Sequence, residues 1–504
     1  MKRRLIVFLF FAYGLTALGQ GRNAIWCFGD SAGIDFNIPS NPITFQSGMS
    51  PRGSCVTISD SSGHLLFYAG VNDNAGYLAG KLKAGMVYNR DHNLMINGDS
   101  LIGEAWYHEM VIIPDPANNN SFYLFHIGVN YDYGLFYSVI DMTQDSGRGK
   151  VISKNNVLDT FPAIDCLQAV KHGNGRDWWL IFRRSQPYTN EFFEYLISPA
   201  GIQLQAVDTA GFAPTSNAGD FVFNSDGSRF AFCNLKGMLS IFNFDRCIGN
   251  ITLYKTIQRE DTIGNFPYYV ACALSSNDSV LYVSSVSYYS SQNANDIFLY
   301  QYNLATPNIL NSKKIIQQFH YPVVPGGLRL APDHKIYLSS DIDIYPYDST
   351  NYQPEIMNLS VINNPNNLDT ACHFQPFSFY LAGKRTYWGL PNNPNYDLGP
   401  VVNSACDSLF NSVEHISKQN LVLTIYPNPT TGIITLNRIL SDYSGCTIDV
   451  FDFQGRHCYS SILDVSISPI QKNLSLLKNG SYILRIQCDG VMINSMKLDR
   501  KSVV

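Results

Sequence analysis

One unit recurs along this chain: an apolar strand, a polar turn built on Asp, Asn or Gly, and a second strand rich in aromatics. In the first copy Cys55-Val56-Thr57-Ile58 turns through Asp60 and Gly63 into Leu65-Leu66-Phe67-Tyr68. The unit returns at 110–125, 167–181, 221–232, 271–283 and 328–338. Each turn has a mechanism, because Asx side chains bond their own backbone and Gly supplies positive φ. The turns fall about 50 to 60 residues apart, the spacing of four-stranded blades repeated around an axis. A lone sheet of that kind leaves an apolar face in water, whereas radial stacking buries both faces and leaves only short edges. The expected fold is therefore all-β: a seven-bladed β-propeller over residues 20–392, then a small C-terminal β-sandwich. Six hairpins are explicit, and the seventh blade is expected to join 24–28 with 374–380. Six blades and a pair of β-sandwiches are the alternatives. No twelve-residue window keeps a 3.6-residue apolar period clear of Pro and Gly, so no long helix is expected.

Composition narrows the function classes. Charged residues make up 15% of the chain, so its surface is kept polar by amides and hydroxyls. The net charge of −5 and the lack of any basic stripe argue against a nucleic-acid partner. The eleven cysteines include no CxxC pair, which removes the usual zinc and iron–sulfur patterns. Some are free to pair in an oxidising compartment, and others, such as Cys233 and Cys272, sit in strands like small buried hydrophobes.

The ends carry addressing information. Lys2, Arg3 and Arg4 precede an apolar run from Leu5 to Leu18, with small residues at Ala17 and Gly19. This reads as a signal peptide over 1–19, too short to span a bilayer comfortably. Residues 393–420 are turn-rich and polar and are expected to be a linker. From 421 to 504 short alternating strands and Gly-containing turns predict the β-sandwich.

That last segment resembles the type A sorting domain of the type IX secretion system of Bacteroidetes. The resemblance rests on Tyr426, Pro427, Asn428, Pro429 and Gly432 in the opening signature, and on Gly455 in the middle turn. Gly480 and Tyr482 in the late GxYxL piece and Lys497 near the end complete it. It implies Sec export to the periplasm, passage through the outer-membrane machinery, and a secreted or outer-membrane surface location. Residues 26–36, 58–68, 89–95 and 171–179 look like pieces of the propeller-like domain of gliding-motility-associated surface proteins in the same bacteria. That resemblance implies location more than chemistry.

Tests for chemistry are mostly negative. No phosphate loop, GxSxG elbow or HExxH helix occurs, no calcium loop matches, and neither cofactor nor metal is expected. Asp91 and His92, with His108 and Glu109, form the most inviting cluster for sugar binding or acid–base work. The plainer alternative is that His108 and Glu109 precede a strand and face solvent. Tyr268 and Tyr288 are candidates for a binding rim, since tyrosine offers a large contact area with a polar tip. The charged turn Lys171, His172, Arg176 and Asp177 reads as local pairing. The expected function is a surface or secreted binding or adhesion protein, with surface glycans or lipopolysaccharide as candidate partners. The alternative is a secreted polysaccharide hydrolase or lyase, since fold alone does not choose.

Overall fold

The computed structural model of the protein describes residues 21–72, 84–130, 134–260, 268–286, 297–342, 353–407, 424–437, 445–452, 456–464, 469–488 and 491–501. The expected signal peptide lies outside the described residues. The chain divides into two units, Met1–Asp407 and Ser408–Val504.

The first unit is almost entirely β. Its described residues form seven antiparallel sheets, two of three strands and five of four. The sheets open, in chain order, with the strands Ile25–Phe28, Pro51–Ser59, Met110–Pro114, Gln168–Lys171, Gly219–Phe223, Tyr268–Leu274 and Val323–Leu330. All six hairpins read from the sequence form, with pairs such as Val56↔Ala69, Ile113↔Tyr123 and Phe221↔Phe232. The first strands of consecutive sheets touch one another in turn.

Alternation explains the packing between sheets. In the strand Trp178–Phe182, successive side chains point to opposite faces. Trp178 enters the apolar cluster shared by the second, third and fourth sheets, and Trp179 enters the one shared by the fourth and fifth. Further clusters join the fifth to the sixth sheet and the sixth to the seventh. The seventh meets the first where Tyr337 packs edge-on against Trp26 and Phe36, at 6.0 and 5.7 Å. Such pairs contribute about 0.5–1.5 kcal/mol each beyond their buried area.

Two expectations need correction. The strand Ile25–Phe28 does not pair with Phe374–Tyr380. The former belongs to the first sheet with Ala32–Asp35 and Ile43–Gln46, and the latter pairs with Asn358–Ile362 in the seventh. The ends are joined instead by the segment that follows. Asp30 N–H donates to Arg385 O at 2.9 Å, Gly327 N–H to Trp388 O at 2.5 Å, Gly389 N–H to Arg52 O at 3.4 Å and Asn392 N–H to Cys55 O at 2.8 Å. The seventh, first and second sheets are thus tied through one irregular stretch. Gly389 is required there, because a Cβ at this position would run into the Gly53 carbonyl.

The second correction follows from the first. Residues 393–407, expected as the start of a linker, are built into the first unit. Thr57 N–H donates to Asn393 Oδ1, Lys171 Nζ to Tyr396 O and Val401 N–H to Gly173 O, while Tyr396 is buried against Trp178. A disulfide joins Cys406 to Cys247. Residues 385–407 are called the strap below.

The second unit holds seven described strands in a three-stranded and a four-stranded sheet around one core that includes Ile434, Leu436, Ile448, Val450, Leu484 and Leu498.

Candidate functional site

A cavity of the first unit lies where the hairpin turns of several sheets converge. It has a volume of about 800 Å³, within the range of small-ligand sites. The fifth sheet contributes Asn224 and Ser225, the sixth Ser275, Ser276 and Asp278, and the seventh Arg329 to His334. Asn37 and Pro39, after the second strand of the first sheet, and Asn393, Asn395 and Asp397 of the strap complete the wall. The turns face the cavity because hairpin chemistry puts Asx and Ser residues at strand ends, and the strands carry those ends to one side. Ser225 Oγ donates to Asp278 Oδ2 at 2.5 Å, pinning the fifth-sheet turn to the sixth. Tyr337 O–H donates to Asp333 Oδ2 at 2.8 Å, while burial raises the Asp333 carboxyl above its ordinary value.

Arg329 also belongs to a buried polar network. Its guanidinium donates to Asp220 through Nη1 at 3.0 Å and Nη2 at 3.3 Å, and Nη2 reaches Asn392 Oδ1 at 3.2 Å. Asn392 in turn accepts from Gln168 and donates to the carbonyls of Met110 and Leu167. Burial opposes ionisation of Asp220, but Arg329 and His108 hold its carboxyl below the usual range. His108 stands between two acceptors, Gly219 O at 3.0 Å from Nδ1 and Asp220 Oδ1 at 3.3 Å from Nε2. Burial pushes the His108 imidazole down to about 4, with Asp220 pulling up and Arg329 pushing down.

The next layer caps backbone. Asp165 accepts the N–H groups of Tyr107 and His108, at 2.8 and 2.7 Å. Glu109 accepts those of Glu104 and Trp106, and Glu104 those of Val129 and Asn130. Burial lifts the Asp165 carboxyl to about 7, and burial with the neighbouring Asp165 lifts Glu109 well above its ordinary value. These groups hold irregular chain at the ends of inner strands, where amide donors would otherwise be orphaned.

The structure therefore separates the cluster read from the sequence. His108 and Glu109 are buried, not solvent-facing, and are occupied as described. Asp91 and His92 line a different cavity of about 350 Å³ with Asp35, Phe45, His64 and Arg90. There Phe45 stacks on His92, and His92 Nδ1 lies 3.0 Å from the Tyr68 hydroxyl. Tyr268 is half-buried at the start of its strand, and Tyr288 lies outside the described residues. Sequence reasoning missed Asp220, Arg329 and Asn392. The first two did carry a signal, each being a lone charge inside an apolar strand, which is tolerated only when paired.

In the second unit the turn after Tyr426 is clamped to the last strand. Asn428 Nδ2 donates to Lys497 O at 2.7 Å, and Asp499 N–H donates back to Asn428 Oδ1 at 2.9 Å. Tyr426 is exposed, as are Pro427 and Pro429. Gly432 O accepts from Leu474 N–H, and the Tyr482 hydroxyl donates to Lys478 O. Gly480 opens the strand Gly480–Cys488, Lys497 pairs with Asp499 at 3.2 Å, and Gly455 lies outside the described residues.

Residues 424–497 match the secretion system C-terminal sorting domain. Such a domain is typical of secreted Bacteroidetes proteins, and the chain is a secreted or surface-exposed protein exported by the Sec and type IX route. Its partner in that step is the type IX translocon. No curated protein matches the chain. Among solved structures it is similar to a candidate 6-phosphogluconolactonase from Bacteroides fragilis, at 11% identity over 73% of this chain and 96% of that one, with a TM-score of 0.43. The β-propeller domain of Swd1 from Myceliophteria thermophila follows at 10%, 64%, 94% and 0.36. A periplasmic gluconolactonase from Pseudomonas aeruginosa gives 11%, 85%, 98% and 0.34.

Proposed function

We propose that the first unit is a seven-bladed β-propeller that acts as a non-catalytic binding or adhesion module, displayed or released after type IX export. Supporting the blade count are the seven sheets, their first strands touching in sequence, and the strap that bonds the last sheet to the first two. The observation that carries the binding role is the cavity of about 800 Å³ in which amide, hydroxyl and carboxylate side chains from four sheets and the strap stand among apolar groups such as Phe223, Leu274 and Leu330. The polar groups offer both donors and acceptors at fixed positions, which suits a polyhydroxylated ligand. Arg329 is the cation in that wall, and its guanidinium is engaged by Asp220 and Asn392. Asp278, Asp333 and Asp397 add negative charge, so a neutral glycan is favoured over an acidic polysaccharide. The inviting acid–base pair, His108 and Glu109, is committed to Asp220 and to backbone amides. The test is a panel of neutral and acidic glycans presented to the secreted protein and read for both binding and product. Saturable binding of neutral glycans without product supports the reading. Product formation that is lost on His108→Ala or Glu109→Ala replaces it with the hydrolase or lyase alternative.

A further inference from the structure

The glycine-rich turn at 171–177, which the sequence offered as local charge pairing, receives the strap. Lys171 Nζ donates to Tyr396 O at 2.9 Å. His172 Nε2 lies 2.9 Å from Cys247 O, and Arg246, beside that cysteine, donates through Nη2 to Gly399 O at 2.6 Å. Gly173 has no room for a side chain, because a Cβ there would meet the sulfurs of both Cys406 and Cys247. The turn is shaped around the disulfide.

The order of the strap's contacts gives this arrangement a direction. From residue 385 onward the strap bonds first to the seventh and first sheets, then to the second, then to the buried network through Asn392. It bonds next, at Pro394 and Asp397, to Asn23 and Arg22 ahead of the first strand, and over 395–406 to the fourth and fifth sheets. Its early part ties the two ends of the sheet series together, and its late part leads toward the sorting domain. Peeling from the C-terminal side would break the late contacts first and reach the tie last. Between Tyr396 and Asp407 the non-covalent hold on the body thins toward the C-terminal end. Arg22 N–H donates to Asp397, Leu398 packs against the apolar cluster of the fourth and fifth sheets, Arg246 donates to Gly399 O and Val401 N–H to Gly173 O. Beyond it Val402 is 71% exposed and Ser404 Oγ lies 3.3 Å from Cys247 Sγ. One covalent bond stands at the point where peeling would begin.

We infer that Cys247–Cys406 is a clamp that stops the strap from being stripped from its C-terminal end, insulating the body from whatever acts on the exported tail. The class of partner is a machine or protease that engages the chain beyond Asp407. The bond forms in an oxidising compartment by loss of two thiol protons and two electrons to a disulfide oxidant, and a thiol reductant reverses it with the same balance. The clamp is one of conformation and does not depend on what the cavity binds.

The test uses the full secreted chain. Folded protein is reduced under native conditions and alkylated, then digested with thermolysin beside the oxidised protein. Mass spectrometry maps the C-terminal edge of the surviving body. With the disulfide intact, the edge stays at or beyond Cys406. After reduction, the edge recedes into 385–400, with an opening equilibrium raised roughly 30-fold or more. The Cys247→Ser/Cys406→Ser protein gives the same receding edge, and so does Gly173→Val, which blocks the seat while both cysteines are kept in the sequence. An edge that stays at 406 after verified reduction overturns the inference. So does first cleavage elsewhere in the body.

Discussion

Replacing Arg329 by methionine removes the cation from the buried network while keeping an unbranched apolar stem. Asp220 then keeps the backbone N–H donors of Phe221 and Cys272 and the His108 ring, but loses two charge-assisted bonds. Both partners are buried, Asp220 completely and Arg329 to 7% exposure. Breaking a buried pair by deleting one partner costs about 3–5 kcal/mol, because the remaining charge stays desolvated. Spread over the unfolding entropy of a body of about 390 residues, that is a fall in Tm of about 4–6 °C. The assay is urea unfolding followed by tryptophan fluorescence. It reports the first unit alone, since Trp26, Trp106, Trp178, Trp179 and Trp388 all lie there. Adding Asp220→Leu to Arg329→Met should recover part of the loss, because no ion is then left unpaired. A single variant within about 0.5 kcal/mol of the parent, or a double variant worse than the sum of its singles, would refute the reasoning.

Other outcomes follow from the same groups. His108 is held down to about 4 in the folded protein by burial, so the unfolded chain takes up a proton first as pH falls from about 6.5. This contribution is complete above pH 6.5 and is lost as pH falls through 4, a decline of about 3 kcal/mol that His108→Gln should remove from a pH series of urea titrations. Glu194 behaves oppositely: it is buried with neither oxygen bonded, and burial with Asp208 nearby lifts its carboxyl to about 9. Its contribution is greatest below about pH 4.5 and is lost as pH rises toward 9, so Glu194→Met should stabilise the body by about 1–3 kcal/mol at pH 7, checked by the same titration. Gly389→Ala sets a methyl against the Gly53 carbonyl and should lower stability by about 2 kcal/mol or more, measured as a drop in the urea midpoint.

What the sequence made legible was what local chemistry determines. Each hairpin is specified within about fifteen residues by alternation and turn type, so 55–68 and 328–338 could be read without their neighbours. The strap could not be read in this way. Its bonds run from backbone groups and side chains to partners up to 375 residues away, as from Asp397 to Arg22, and its Pro, Asn and Gly content matches that of a free linker. The error over the seventh blade has the same root: 374–380 has the alternation of a strand, and alternation says nothing about its partner. The site shows both cases. Asp91 and His92 were read next to His108 and Glu109 because they lie close in sequence, yet the second and third sheets carry the two pairs to different places. The sorting domain was legible because its motifs are short and local, and Asn428 explains why one near 428 and one near 497 occur together: they are hydrogen-bonded.

The binding role is tested most directly by filling the cavity. Leu330 lines it at 38% exposure at the end of its strand, so Leu330→Trp extends into the open volume without displacing core. The measurement is the affinity of the secreted protein and of this variant for the neutral glycans that bind in the panel, alongside Tm for both. The account predicts saturable binding without product, weakened at least about tenfold by Leu330→Trp, a loss of about 1.4 kcal/mol, with the melting temperature unchanged. Undiminished binding in Leu330→Trp, or turnover of the glycan by the parent protein, would contradict it.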